Sequence, residues 1–226
     1  SRMKLGKNYF KLDSPTVMGI CNVTPDSFSD GGKSFKQKDA LKNIIKALEL
    51  KKNFPPYVKL HLEITVALND KRNLKKLIKK YWSLNPSSLL RSIIIKILND
   101  NDLTDIKFIN EIIKNNAGEE ESKKLLIYFA IKNLKWDIAR ENVIGMIGSN
   151  PSKDICYFMS DIELGENNDK QKSDAWIMRA ENAKLENSWI CRITNQSQEE
   201  WSSLSDSGNY NSLVWSSPMM IRQNSN

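Results

Sequence analysis

The sequence predicts an all-α fold, an array of helical hairpins, and three observations carry that reading. Apolar residues recur at helical spacing through most of the stretch 39–184. The patterns stop abruptly at prolines and asparagines, and residues 33–117 contain no glycine. Similar hairpin patterns also follow one another, two successive first helices starting 34 residues apart, at Glu119 and Lys153. Alternating β-branched runs bounded by glycine are missing after residue 35, so the strand alternative fails there.

Each element follows from local chemistry. Residues 39–51 place Leu41, Ile44, Ile45 and Leu48 on one face, with Asp39 near the start. Pro55 and Pro56 break that helix and open the next, where a missing N–H costs little. The new helix runs to about Leu68 through Val58, Leu62, Val66 and Ala67. Asn69 and Asp70 turn the chain into a return helix over 72–82, which ends at Asn85 and Pro86. Ser87 is placed to cap a helix over 89–98. Asp102 or Thr104 starts another, carrying Ile106, Ile109, Ile112 and Ile113. The second half reads as helices over 119–133 and 136–147, a stop at Asn150 and Pro151, then 152–164, a polar turn at 165–169, and 170–184.

Within 119–151, Trp136 and Ala139 form an aromatic-x-x-Ala step and Pro151 follows Ala139 by twelve residues. Those are tetratricopeptide spacings, in which the small residue lets two helices approach and the proline ends the second. Residues 54–86 fit the same template with Leu74 in the small position. The Ser-rich tail, punctuated by Trp189, Trp201 and Trp215, has no helical period. It reads as an irregular cap whose indoles cover the open end of the last helix pair, with ligand stacking as the other use of those rings. The expected organisation is an N-terminal fragment at 1–35 with a short β-like segment, a helical-repeat domain at 36–185 and a capping tail at 186–226.

The formal charge of +7 is unevenly placed: +2 over residues 1–35, +9 over 36–114 and −4 over 115–226. Arg72 and Arg91 are the only arginines of the basic stretch, which argues against bidentate phosphate recognition and so against nucleic acid as a partner. Its lysines fit the solvated sides of helices, such as Lys75, Lys76, Lys79 and Lys80 opposite Leu74, Leu77, Ile78 and Tyr81. The longest apolar run, 125–131, has seven residues, too few to span a membrane. Three cysteines without metal-ligand spacing fit a reducing compartment, and the expected location is cytoplasmic.

Residues 17–32 read Val-Met-Gly-Ile-Cys-Asn-Val-Thr-Pro-Asp-Ser-Phe-Ser-Asp-Gly-Gly. This stretch closely resembles the N-terminal signature of dihydropteroate synthase, a pterin-binding enzyme of folate biosynthesis, departing from it at Cys21. Residues 4–16 look like that enzyme's leading hairpin. The resemblance implies that Asn22 contacts magnesium and a diphosphate, and that Thr24, Pro25, Ser27 and Phe28 belong to the mobile loop beside the aminobenzoate pocket. The family's later motifs are absent. The helical pattern after residue 33 leaves no eight-stranded barrel to position a diphosphate against an amine, so the chain is not expected to catalyse that reaction by itself.

The remainder resembles a different family. Residues 53–57 (Asn-Phe-Pro-Pro-Tyr), 159–169, 175–180 and the Trp189, Trp201 and Trp215 tail look like the HemY-type tetratricopeptide protein associated with haem (porphyrin) biosynthesis. The similarity runs over about 38–220 and makes the chain look chimeric, with a join between Gly32 and Asn53, so that a chimeric product without a function of its own is a further alternative. The resemblance implies a non-enzymatic scaffold for protein partners. Stacked hairpins present a concave groove, to which Tyr57, His61, Tyr81 and Trp82 are candidate contributors, with a place in the core as the equal alternative for each. No cofactor is expected, magnesium entering only with the synthase alternative. The family's membrane-anchoring segments have no counterpart in this sequence.

Overall fold

The computed structural model describes residues 2–5, 8–11 and 33–217, with side chains from 36 to 217. Among them are nine helices and five short strands. The strands β1 (Arg2–Leu5) and β2 (Asn8–Lys11) form an antiparallel hairpin in which Arg2 pairs with Lys11 and Leu5 with Asn8. The helices are α1 (Lys33–Leu50), α2 (Pro55–Ala67), α3 (Lys71–Leu84), α4 (Ser88–Asp100), α5 (Ile106–Ile113), α6 (Glu120–Lys132), α7 (Trp136–Ile144), α8 (Lys153–Asn167) and α9 (Lys170–Glu181). The array of helical hairpins is therefore the fold.

The helix starts are set by the residues that read as caps. Pro55 and Pro56 occupy the first turn of α2. The Ser87 hydroxyl accepts from Leu90 N at 3.1 Å and caps α4. Asp70 accepts from Asn73 N at 3.1 Å before α3, and Asp169 from Lys172 N at 3.0 Å before α9. For α5 the cap is Asp105, accepting from Lys107 N at 3.3 Å, rather than Asp102 or Thr104.

One turn recurs along the chain. Asn69, Asp102, Leu134 and Asn168 have φ of 57°, 54°, 56° and 51°, and are spaced by 33, 32 and 34 residues. At the first three, a six-to-one hydrogen bond closes the preceding helix: Asp70 N to Thr65 O, Leu103 N to Leu98 O, and Lys135 N to Ala130 O. The fourth is wider, with Asp169 N donating to Glu163 O. A left-handed residue followed by that bond reverses the chain once in each repeat, so the period is written in the backbone as well as in the apolar pattern.

Two compact units are distinguished, Ser1–Ile78 and Lys79–Asn226, and their boundary falls within α3. In the first, α1 packs against α2 around Ala40, Ile44, Ala47 and Ile64, with Leu41, Leu48, Tyr57, Leu60 and Leu68 at the margin. In the second, α6 packs against α4, α5, α7 and α8, and α8 against α6, α7 and α9. Its largest cluster joins Ile127 and Ala130 of α6, Ala139 and Val143 of α7, and Ile155, Phe158, Met159 and Ile162 of α8. Ala139 is fully buried, which suits its role as the small residue between helices. Ser173, 34 residues on, takes the same place in the next hairpin, its hydroxyl 2.7 Å from that of Ser160.

Some boundaries depart from the sequence reading. Helix α8 continues through Gly165, so the turn expected at 165–169 shrinks to Asn168 and Asp169. Gly165 lies under the indole of Trp136: a Cβ there would come within 2.1 Å of the ring. Its function is close packing of α8 on α7 rather than chain reversal. Helix α7 stops at Ile144, before Gly145, instead of reaching 147. Helix α1 begins at Lys33 rather than near Asp39.

The tail is more ordered than its composition indicates. Strands β3 (Ser188–Cys191), β4 (Ser197–Gln198) and β5 (Leu213–Ser216) make an antiparallel sheet in the order β4-β3-β5. Trp189 and Trp215 are cross-strand partners with ring centroids 5.4 Å apart at 63°. Trp215 Nε1 donates to the Ser88 hydroxyl at 3.1 Å, so this indole reaches the first turn of α4 and not the last helix pair. Strands of two to four residues are too short to leave a visible alternation in the sequence.

Candidate functional site

Helices α4, α6 and α8 are tied together near their N-termini by a partly buried ion network. Arg91 of α4 donates through Nε to Glu121 of α6 at 2.7 Å and through Nη2 to Asp154 of α8 at 3.1 Å. Lys124 of α6 reaches Asp154 at 2.8 Å and Glu120 at 3.0 Å. Asp154 also accepts from its own cap residue Ser152 and from Ile155 N. The Lys124 side chain is 7% exposed and that of Asp154 17%.

Burial works against both charges and is outweighed. Desolvation alone would raise the Asp154 carboxyl, but hydrogen bonds from Lys124 and Ser152 and the charges of Lys124 and Arg91 hold it below 3.8. Desolvation would lower the Lys124 ammonium, but Asp154 and Glu120 hold it above 10.5. Every carboxylate and cation in the cluster has a partner within it. The network holds three helices in register and leaves no acid or base poised for proton transfer.

Next to the network the same helices present a half-buried surface. Arg91, Ile95 and Asn99 follow one another at four-residue spacing along α4. Asn99 Nδ2 donates to the hydroxyl of Tyr128, on α6, at 3.0 Å. This face, with Ile95, Asn99 and Tyr128 accessible beside fixed charges, is the candidate interaction surface. Between α7 and α8 a second ion cluster is internal: Arg140 donates to Glu163 at 3.1 Å and to Glu166 at 2.6 Å. Burial would raise Glu163, yet Arg140 and Asn167 keep its carboxyl below 4.5.

The groove candidates from the sequence fall mostly in the core. Trp82 is fully buried, its Nε1 donating to Ser122 Oγ at 2.9 Å while its carbonyl accepts from Asn116 Nδ2. Tyr81 is buried and its hydroxyl is pushed up to about 12 by that burial. His61 is buried as well, and Thr65 Oγ1 donates to its carbonyl at 2.8 Å. Tyr57 is half-buried and meets Phe54 edge-on at 4.9 Å. Asn22, Thr24, Pro25, Ser27 and Phe28, and with Asn22 the magnesium expectation, lie outside the described residues. Among the described residues no three His, Cys, Asp or Glu side chains gather as a metal site.

The sequence gives no sign of two further features. In the tail, Cys191 is buried with Ser212 Oγ at 3.2 Å and Asn209 Nδ2 at 3.8 Å. Burial opposes ionisation there, but hydrogen bonding with Ser212, Thr194 and Ser207 brings the thiol down to about 5. A reactive thiolate needs exposure as well as a low pKa, and Cys191 lacks it. A shallow cavity of about 290 Å³ is lined by Ser149, Asn150, Pro151, Met178, Arg179 and Asn182, and its one cation, Arg179, stacks 4.3 Å from Trp176. Among the described residues no helix is long and apolar enough to cross a membrane. Compared with protein-family models, curated proteins and solved structures, the chain matches none.

Proposed function

We propose that this chain is a non-enzymatic helical-repeat scaffold that binds protein partners, in the haem-biosynthetic setting of the HemY-type tetratricopeptide proteins it resembles. The observation that carries the reading is the face on α4 and α6, where Ile95, Asn99 and Tyr128 stand half-buried on helices whose register is fixed by Arg91, Lys124 and Asp154. A rigid face with an aromatic residue and an amide at its centre suits a protein ligand, because little conformational freedom is lost on binding. Its charges are already paired with one another, so the ligand is held by shape and apolar contact more than by ion pairing.

The test is capture of purified haem-pathway enzymes on the immobilised chain, with Ile95→Asp/Tyr128→Ala as the comparison. Recovery by the wild type and loss by the double variant is the expected result; wild-type recovery no higher than background overturns the reading. A second reading rests on the signature at 17–32. It proposes pterin diphosphate and magnesium binding through Asn22. Calorimetry gives heat that disappears in Asn22→Ala if that reading holds, and no heat if it fails.

A further inference from the structure

The 34-residue period allows the last hairpin to be compared with its predecessor position by position. Leu134 and Asn168, the left-handed residues of the two hairpins, fix the alignment. Under it Ile127, Ala130 and Val143 correspond to Asp161, Leu164 and Ile177, and Lys123 corresponds to Tyr157. Ile127, Ala130 and Val143 are each 0% exposed, because α8 lies against them with Ile155, Met159 and Ile162 in the shared cluster. Their counterparts are open: Tyr157 is 43% exposed, Leu164 46% and Ile177 39%, and Asp161 is exposed among them.

Apolar side chains thus stand at two of the three covered positions, Leu164 and Ile177, on a hairpin against which no following hairpin lies among the described residues. The described part of the tail, to Ser217, leaves them exposed with β3, β4 and β5 in place and Trp215 bonded to Ser88. A terminal repeat whose outer edge only meets water is normally polar.

We infer that the α8–α9 edge formed by Tyr157, Asp161, Leu164 and Ile177 docks an amphipathic helix of another protein, laid against α8 as α8 is laid against α6, with a lysine or arginine opposite Asp161. Continuity of the stacking register gives the occupant's shape. A helix of three to four turns covers the eight residues from Tyr157 to Leu164, which rise about 10 Å. Charge gives its chemistry. In the preceding hairpin the centre of the covered edge is Ile127; here it is a carboxylate, which a partner must neutralise to be buried. A second copy docked by two-fold symmetry would bring the same edge onto itself and set Asp161 near its own equivalent, so the edge is not self-complementary.

The inference rests on the scaffold reading for the protein nature of the ligand, and its test uses a different surface. The probe is a fluorescein-labelled peptide of residues 152–168, compared with the same peptide carrying Met159→Lys, which sets a cation at the middle of the stacking stripe. By fluorescence anisotropy the full chain is expected to bind the lysine peptide about tenfold more tightly than the parent peptide. Asp161→Lys should reverse that preference, Leu164→Ser and Ile177→Ser should weaken both peptides, and helical circular dichroism should be unchanged in all three. Ile95→Asp/Tyr128→Ala should bind the lysine peptide as the wild type does, so loss of enzyme capture by that variant bears on the scaffold reading alone. Equal binding of the two peptides, or indifference to Asp161→Lys, overturns the inference. So does a concentration-dependent dimer in sedimentation velocity that Leu164→Ser abolishes, because a second copy would then occupy the edge.

Discussion

Leu134 and Gly165 make opposite demands at the scale of single residues. Leu134 holds φ 56° at the turn after α6, a conformation that a branched side chain adopts at a cost, and its side chain is 68% exposed. Asparagine stands at the equivalent turns at 69 and 168. Leu134→Asn should therefore raise stability by about 0.5–1 kcal/mol, seen as a higher urea midpoint with an unchanged slope. Gly165 has a helical backbone and no free space, since its missing Cβ is where the Trp136 ring lies. Gly165→Ala should cost about 1–3 kcal/mol by displacing that ring, even though alanine is the better helix former. A variant as stable as the wild type in thermal melts would show that the ring gives way freely.

At the scale of elements, the ion network on α4, α6 and α8 makes its own prediction. Removing one partner leaves charges uncompensated, so Asp154→Asn should destabilise by about 2–4 kcal/mol, somewhat less than a fully buried pair because the carboxylate keeps some exposure. Lys124→Met should cost less, as Asp154 keeps Arg91. The double variant should fall short of the sum. The pH dependence follows from the directions of the shifts. Asp154 titrates below 3.8 in the folded state, so its contribution is complete above that value and is lost as pH falls through the folded pKa. Lys124 titrates above 10.5, so its contribution is complete below that value and disappears only at higher pH. The gap between wild type and Asp154→Asn, followed by urea unfolding from pH 7 to pH 3, should be constant down to about pH 5 and narrow as pH falls below about 4. A gap no smaller at pH 3 than at pH 5 would mean that the carboxylate acts through something other than its charge.

These helices were legible in the sequence because their boundaries depend on local chemistry. Ser87, Pro55, Pro56 and Asn69 declare themselves as caps and turns wherever they stand. Gly165 was misread as a turn because its reason is tertiary, the Trp136 ring from another helix. The candidate face on α4 and α6 was hidden for a similar cause. Arg91, Lys124 and Asp154 lie 33 and 30 residues apart and meet only after the hairpins stack, so no local spacing announces them. Tyr81 and Trp82 advertise a binding groove by residue type, but their place on α3 buries them in the core.

For the whole molecule, the decisive contact is the hydrogen bond that spans the most sequence among the described residues. The Trp215 indole bonds to Ser88 across 127 residues, bringing the end of the tail sheet to the first turn of α4. Repeat arrays are otherwise held by contacts between neighbours and can unfold from their ends. This bond closes the Lys79–Asn226 unit on itself, so its value lies in cooperativity more than in its own energy. Trp215→Phe keeps an aromatic ring against Trp189 and removes only the donor, so the direct loss should be about 0.5–1.5 kcal/mol. If the tail does clamp the array, the same variant should broaden the unfolding transition and lower the denaturant slope, because α4 and the tail sheet then open before the α6–α8 core. Hydrogen exchange should locate the change, with protection falling first at the amides of β5 and the start of α4 while Ile127, Ala130 and Val143 stay protected. A variant that loses midpoint stability with an unchanged slope and uniform exchange would make Trp215 an ordinary surface hydrogen bond, and the array would be held by its hairpin stacking alone.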